Sequence, residues 1–410
     1  MSAIDGFAIV YFGNDWFAEN RTSSHHIARL LGQRFPLLYV ETPGIRTPAA
    51  TKRDFKKLWR KLARAFNAPQ AVREHVWVTT MPQIPFRRWS LIRKLNLWCG
   101  RYLVKRAMRR LGFQNVILWF VVPHPAPLQG QLGEQLSVYY CTDDYSDLPG
   151  VDREEIKRLE DQVARGADQV FVTATTMMES RKKLNPTTEY APHGVDFEHF
   201  QRASDPATVL PEGGKSLRRP VIGYFGSIAE WVDTDLFLYL AKARPEWTFL
   251  LIGLATVDVS ELRKCSNIIL TGPQPYEKLP EWAAAFDVAL LPFRVNQLTI
   301  ASNPLKLREY LATGKPVVSS SLPEVELFGD CVSIAHNPVE FIEKIENALT
   351  QDCAEAKQAR TRAVMGSTWE ARLDEVLSTV EEVFLRKQES RKSAALDQLA
   401  VETLRVRAKE

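Results

Sequence analysis

Ser302-Asn303-Pro304-Leu305-Lys306-Leu307-Arg308-Glu309-Tyr310-Leu311-Ala312-Thr313-Gly314-Lys315-Pro316-Val317-Val318-Ser319-Ser320 reads as a short helix, a glycine stop and a buried strand. Pro304 suits the first turn of a helix, where its missing N–H costs nothing. Leu307, Tyr310 and Leu311 fall on one face at helical spacing. Gly314 stops the helix, and Pro316-Val317-Val318 opens the strand. The polar residues left over are Asn303, Lys306 and Glu309. Lys306 and Glu309 stand three apart and share a helix face. The N-terminus of such a helix favours an anion such as a phosphate. A cation for phosphate and a carboxylate for sugar hydroxyls is what a nucleotide-sugar site needs. Taken alone the stretch favours a plain amphipathic αβ unit with a solvated Lys and Glu, so the rest of the chain has to decide.

The stretch resembles the donor-binding helix of retaining glycosyltransferases of the GT-B fold, family four in particular, and their relatives in bacterial polysaccharide assembly. The resemblance implies that Glu309 holds the ribose hydroxyls of the donor. The family pattern has a second glutamate eight residues earlier. Here that position is Ala301, and Ser302, Asn303 and Lys306 stand in for it, as in variants reading Ser/Asn-Pro-x-Lys-x-x-Glu-Tyr-Leu-Ala. His193-Gly194-Val195-Asp196-Phe197-Glu198-His199-Phe200 resembles the Asn-Gly-Val-Asp-x-x-x-Phe segment that leaves the family's N-terminal domain. Gly194 would supply the positive φ of a sharp turn there. Thr271-Gly272-Pro273-Gln274-Pro275-Tyr276-Glu277-Lys278-Leu279-Pro280 is similar to a family loop that lies against the nucleotide base.

The chain has 410 residues, enough for two domains, and 45% hydrophobic with 25% charged side chains is ordinary for a globular protein. No apolar run is long enough to span a bilayer. The N-terminal residues lack the basic and apolar regions of a signal peptide. Five scattered cysteines have no metal-ligand spacing and form no evident disulfide framework. These features predict a cytoplasmic protein.

Along the chain, strand and helix patterns alternate. Strand candidates are 7–12, 37–40, 76–80, 116–122, 138–141, 170–173 and 188–191, with helical patterns at 23–33, 89–111 and 153–165. Residues 201–219 are polar, with Pro211, Gly213 and Gly214, and read as a linker. The alternation then restarts with strands at 221–225, 249–252, 268–270, 288–291 and 316–319. A restarted βα pattern predicts an α/β protein of two Rossmann-like domains, with the ligand in the cleft at the carboxyl ends of the strands. The expected division is an acceptor domain over 1–200, the linker, a donor domain over 220–368, a helix over 369–387 and a charged tail over 388–410. The resemblance implies that the 369–387 helix crosses back to the N-terminal domain. Neither first strand is followed by Gly-x-Gly-x-x-Gly, which disfavours a dehydrogenase.

The candidate donor site comprises Gly226, Ser227, Gly253, Pro273, Tyr276, Ser302, Asn303, Pro304, Leu305, Lys306 and Glu309. Gly226 and Gly253 would let backbone approach a diphosphate. Pro273 or Tyr276 would cover the base. The family's Arg/Lys phosphate pair is missing after Gly226, where Ser227 and Glu230-Trp231-Val232-Asp233 stand, so Lys306 or Arg294 would serve. His124, after the 116–122 strand, would contact the donor sugar or orient the acceptor, making Lys306, His124 and Arg294 the catalytic candidates. Asn14, Asp15, Asp143 and Asp144 follow strands where an acceptor would bind. Asp143-Asp144 has the wrong spacing for a GT-A metal site, and no metal or cofactor is expected beyond the UDP- or GDP-type substrate. Individually, His124, Asn14, Asp15, Asp143, Asp144 and Tyr276 are more often structural and a lone loop arginine such as Arg294 more often solvated, whereas the Gly226 turn favours the site.

Residues 51–110 hold 17 Lys and Arg against 2 Asp and Glu. Within 52–66, Phe55, Leu58, Trp59, Leu62 and Phe66 recur at helical spacing among the cations, and 87–110 adds Trp89 and Trp98 to a second basic stretch. That pattern fits an interfacial helix on an anionic membrane, or an amphipathic helix packed on its own domain with a solvated basic face. Nucleic-acid binding is less favoured, since no nucleic-acid fold motif accompanies the charge. The resemblance implies a glycosyltransferase acting with retention on a glycan or lipid-linked acceptor in envelope or extracellular polysaccharide synthesis. A sugar-nucleotide epimerase of the same fold and a non-catalytic nucleotide-sugar-binding scaffold are the alternatives.

Overall fold

A computed structural model describes residues 3–18, 22–42, 67–82, 89–148 and 150–407, with side chains to 397. The 52–66 stretch and residues 87 and 88 lie outside the described residues.

Two sheets organise the chain. The first has eight strands in the order β3-β4-β2-β1-β5-β6-β7-β8. They are β1 (Ala8–Gly13), β2 (Leu37–Glu41), β3 (Gln70–Arg73), β4 (Val76–Thr80), β5 (Val116–Phe120), β6 (Leu136–Cys141), β7 (Gln169–Val172) and β8 (Thr188–Tyr190). All pair in parallel except β3, which turns back antiparallel on β4. The second sheet is fully parallel, in the order β11-β10-β9-β12-β13-β14. Its strands are β9 (Val221–Phe225), β10 (Thr248–Ile252), β11 (Ile268–Gly272), β12 (Val288–Leu291), β13 (Val317–Ser320) and β14 (Ser333–Ala335). In each sheet the first strand is central and the order reverses beside it, between β1 and β5 and between β9 and β12. Such switch points open a crevice at the carboxyl ends of the strands.

The first sheet is buried on both faces, as parallel sheets are. Alternation along β1 sends Ile9 and Tyr11 to one face and Ala8, Val10 and Phe12 to the other. The Ser90–Arg110 and Arg153–Gly166 helices cover the second face through Val104, Ala107, Leu159 and Val163. The first face is covered by the Ser23–Arg34 helix and by the Trp369–Arg407 helix, which contributes Trp369, Leu373, Val376, Val380 and Phe384. The last helix thus returns to the N-terminal domain. It runs to Arg407, so the charged residues from 388 on continue the same helix.

The passage between domains is earlier and tighter than the expected linker. Ala191 packs in the first core, whereas Val195, Phe197, Phe200 and Ala203 belong to the second. Residues 201–219 carry the Arg202–Ser204 and Glu212–Lys215 turns rather than open coil. Gly194 is needed for closeness and not for a positive φ: a Cβ there would fall 2.6 Å from Trp369 Cα. The neighbouring Val195 N–H donates to Ser367 O at 2.9 Å.

Candidate active site

The Leu305–Ala312 helix starts from Pro304 and ends at Thr313, with Gly314 at φ +72° in the left-handed position that lets the chain turn away. Leu307, Tyr310 and Leu311 are fully buried in the second core. The helix is therefore fixed in rotation, with Lys306 and Glu309 side by side. Lys306 Nζ lies 2.8 Å from Glu309 Oε2 and 5.1 Å above the Phe225 ring. Both residues keep some exposure, 22% for the Lys306 side chain and 9% for Glu309. The Tyr310 hydroxyl ties the helix to the end of β9: it accepts from Phe225 N–H at 2.9 Å and donates to Phe225 O at 3.2 Å.

Gly226 follows directly, and Lys306 Cε stands 3.4 Å from where its Cβ would be. Gly226 and Gly253 hold φ of +146° and +147°, open to glycine alone, and a Cβ on Gly253 would overlap the Gly226 carbonyl. The two strand ends touch through bare backbone. The Gly226 N–H, expected to face a diphosphate, instead donates to Ile252 O at 2.8 Å, and the Gly253 N–H to Gly272 O at 2.9 Å. Lys306 is thus the cation that the structure brings to the β9 end of the switch point.

Asn303 sits elsewhere than expected. It is buried, and its amide donates to Thr173 O at 2.7 Å, just past β7 of the first domain, and to Glu324 Oε2 at 2.8 Å. Arg308 donates to Asn303 Oδ1. Glu324, fully buried, also accepts from Thr175 N–H at 2.6 Å, Thr175 Oγ1 at 2.8 Å and Tyr190 OH at 2.7 Å. Thr175 begins the Thr175–Leu184 helix, so this carboxylate also meets a helix N-terminus. The carboxyl ends of both sheets therefore face each other across a polar clasp rather than a donor contact at Asn303.

Several expected site residues have other tasks. Ser302 Oγ donates to Thr299 O at 2.8 Å, and Ser227 O accepts from Tyr224 OH at 2.9 Å. Pro273 is exposed. Tyr276 stacks on His199 with ring centroids 4.6 Å apart, so one of its faces is already covered. Arg294 pairs with Asp235 at 2.9 Å and Asp233 at 3.4 Å. His124 is buried in a recess of about 50 Å³ formed entirely by first-domain residues, among them Met81, Leu97, Leu128 and Leu159. It does not join the Lys306–Glu309 pair in one pocket. Asp15 accepts Phe17 N–H at 3.1 Å in a local turn, and Asp144 accepts from Ser146 N and Oγ at 3.3 and 2.8 Å. Asn14, half-buried, follows β1 at the first switch point. Asp143, after β6, has its carboxyl pushed up to about 7, chiefly by burial. Among the described residues no three His, Cys, Asp or Glu side chains gather as metal ligands.

Sequence reasoning missed Glu324, Arg308, Tyr310 and two histidines. His199 Nε2 lies 3.0 Å from Tyr276 O while its Nδ1 lies 2.9 Å from Arg202 Nη2. A guanidinium only donates, so Nδ1 accepts, Nε2 carries the hydrogen and the ring is neutral. Burial lowers its pKa accordingly. His193, near Trp369, is pushed down to about 3 by burial and then by Arg308 and His26.

Residues 219–351, the core of the second domain, match the family model described as glycosyl transferases group 1. The second domain is thus a glycosyl transferases group 1 domain, set in a GT-B fold. The chain is 24% identical over 356 residues to a Bacillus subtilis protein named for teichuronic acid biosynthesis, the glycosyltransferase TuaH, spanning 75% of this chain and 89% of that one. It is 28% identical over 145 residues to the lipopolysaccharide core biosynthesis mannosyltransferase LpsB of Rhizobium meliloti, spanning 32% of this chain and 39% of that one. Among solved structures, sucrose-phosphate synthase from Thermosynechococcus elongatus superposes with a TM-score of 0.68 at 13% identity, covering 93% of this chain and all of the other. Anabaena HepE in complex with UDP and glucose gives 0.66 at 14% identity, over 92% of this chain and all of HepE. These likenesses are likenesses of fold.

Proposed function

We propose that this enzyme transfers a sugar, with retention, from a nucleoside-diphosphate donor to a glycan or lipid-linked acceptor in the synthesis of an envelope or extracellular polysaccharide. The observation that carries the reading is the Lys306–Glu309 pair, held 2.8 Å apart beside Gly226 at the β9 end of the switch point. Glu309 would accept from the ribose hydroxyls, and Lys306 would swing toward the diphosphate. In the reaction the bond from the anomeric carbon to the diphosphate oxygen breaks, and the bond to the acceptor oxygen forms on the same face. The diphosphate takes the acceptor proton. Negative charge grows on the leaving group, and Lys306 stabilises it more in the transition state than in the bound donor. The UDP complex of HepE and the polysaccharide names of TuaH and LpsB support this donor and product class.

Calorimetry with a panel of nucleoside diphosphates and nucleotide sugars tests the site. One base should be preferred, and Lys306→Ala and Glu309→Ala should each weaken it about tenfold or more. Intact affinity in both variants would misplace the donor site.

A further inference from the structure

The Ser90–Arg110 helix has a second, exposed face. Gly100, Leu103, Val104 and Ala107 turn inward. On the opposite side Leu91, Leu95, Trp98 and Tyr102 follow at intervals of four, three and four, one stripe of a helix. They are exposed, Leu91 at 75%, Trp98 at 64% and Tyr102 at 47%, and the Trp98 and Tyr102 rings stack on each other rather than on the core. Trp89, at the helix start, is 68% exposed. Scattered exposed apolar residues are ordinary, but a continuous aromatic and aliphatic stripe marks a contact surface.

Charge selects the partner. The helix carries seven Lys and Arg and no Asp or Glu. Lys94, Arg101 and Lys105 fall along one flank of the stripe at 100° per residue, and Arg109 continues its line. Tryptophan and tyrosine prefer the polar boundary of a bilayer, and the cations favour anionic headgroups. We propose that this face docks the enzyme on a membrane surface containing anionic lipid, with the stripe sunk into the headgroup boundary. The inner side of the same helix supplies Arg93, Asn96 and Leu97 to the recess beside His124. Docking would hold that recess about one helix diameter, ~10 Å, from the bilayer. The inference deepens the lipid-linked acceptor reading and rests on it only for its purpose, since binding needs no donor or acceptor.

The test is flotation of the full-length enzyme with vesicles of phosphatidylcholine alone or mixed with phosphatidylglycerol. The mixed vesicles should carry it and the neutral ones should not. Leu91→Ser/Trp98→Ser should lower partitioning about tenfold or more, and so should Lys94→Glu/Arg101→Glu. All four positions are exposed, and an unchanged thermal midpoint checks the fold. Equal binding by the variants, or no binding by the wild type, overturns the proposal. So does a wild-type dimer that the first double variant turns into a monomer, which would make the stripe an interface between copies. Nucleotide affinity measured on the same variants should not change, which separates failure here from failure of the donor site.

Discussion

Asn303, the residue just before the donor helix, donates to Glu324 at 2.8 Å and to Thr173 of the other domain at 2.7 Å. All four groups around the Glu324 carboxylate give hydrogens to it: Thr175 N and Oγ1 to one oxygen, Tyr190 OH and Asn303 Nδ2 to the other. Glu324→Ala leaves buried donors unmatched between the domains, and thermal unfolding should show a loss of about 3 kcal/mol. Glu324→Gln keeps the size but aims an NH₂ at donors. It should fall between the wild type and alanine in midpoint. Both variants should raise KM for the donor, because the clasp anchors the start of its helix. A Glu324→Ala midpoint within a degree of wild type would show that the clasp is not formed in solution.

The Tyr310 hydroxyl links the donor helix to Phe225, one residue before Gly226. Tyr310→Phe keeps the packing and removes both bonds, leaving the Phe225 N–H buried without an acceptor. Stability should drop by about 1–2 kcal/mol. Nucleotide affinity should drop as well, since Lys306 would no longer be registered against the end of β9. A paired titration and melt would reveal any case where one changes without the other.

What the sequence disclosed follows from range. The helix at 305–312 and its glycine stop are written in local spacing, and the Lys306–Glu309 pair is a three-residue interval, whereas the return of the helix at Trp369 was legible only through the family resemblance. Tertiary placement set the rest. Arg294 reads as a free loop cation until Asp233 and Asp235 are beside it. Asn303 sits inside a binding motif, yet its partners are Thr173 and Glu324, 130 and 21 residues away. Glu324 in Leu322-Pro323-Glu324 looks like an ordinary first-turn acid, and nothing nearby announces its contacts with Thr175 and Tyr190. Gly194 drew attention for the wrong reason, because the backbone it must clear belongs to Trp369.

Gly253→Ala is the sharpest test of the paired strand ends. The new methyl meets two obstacles, a φ of +147° that alanine avoids and the Gly226 carbonyl in its path. Either the β10 end moves or Gly226 does. The expected cost is roughly 2–4 kcal/mol in stability, with loss of nucleotide binding. Gly272→Ala is a milder change, since its φ of +73° lies in the left-handed region and there is open space around its Cβ. It should cost only about 1 kcal/mol. A Gly253→Ala cost no larger than that would mean that the strand ends accommodate the methyl.

His193 gives the enzyme a stability term with a definite sign in pH. Its folded pKa is pushed down to about 3 from an ordinary 6.5, by burial first and by the nearby Arg308 and His26 next. Between those values the unfolded chain binds a proton that the folded chain refuses, so this contribution is full above about 6.5 and fades as pH falls. Asp143 acts oppositely. Its folded pKa of about 7 lies above the ordinary 3.8, so its contribution is full below about 4 and fades as pH rises toward 7. A bare stability curve mixes the two, so the measurement has to be a difference. His193→Gln cannot take up the proton, while any packing change it causes is independent of pH. The stability gap between wild type and His193→Gln should therefore shift against the wild type as pH falls from 7 to 4, by up to ~1.4 kcal/mol per unit. Parallel denaturation curves at pH 7, 6, 5 and 4 would read it directly. A constant gap would mean that folded His193 takes up its proton as readily as the unfolded chain does, and that burial does not hold its pKa down.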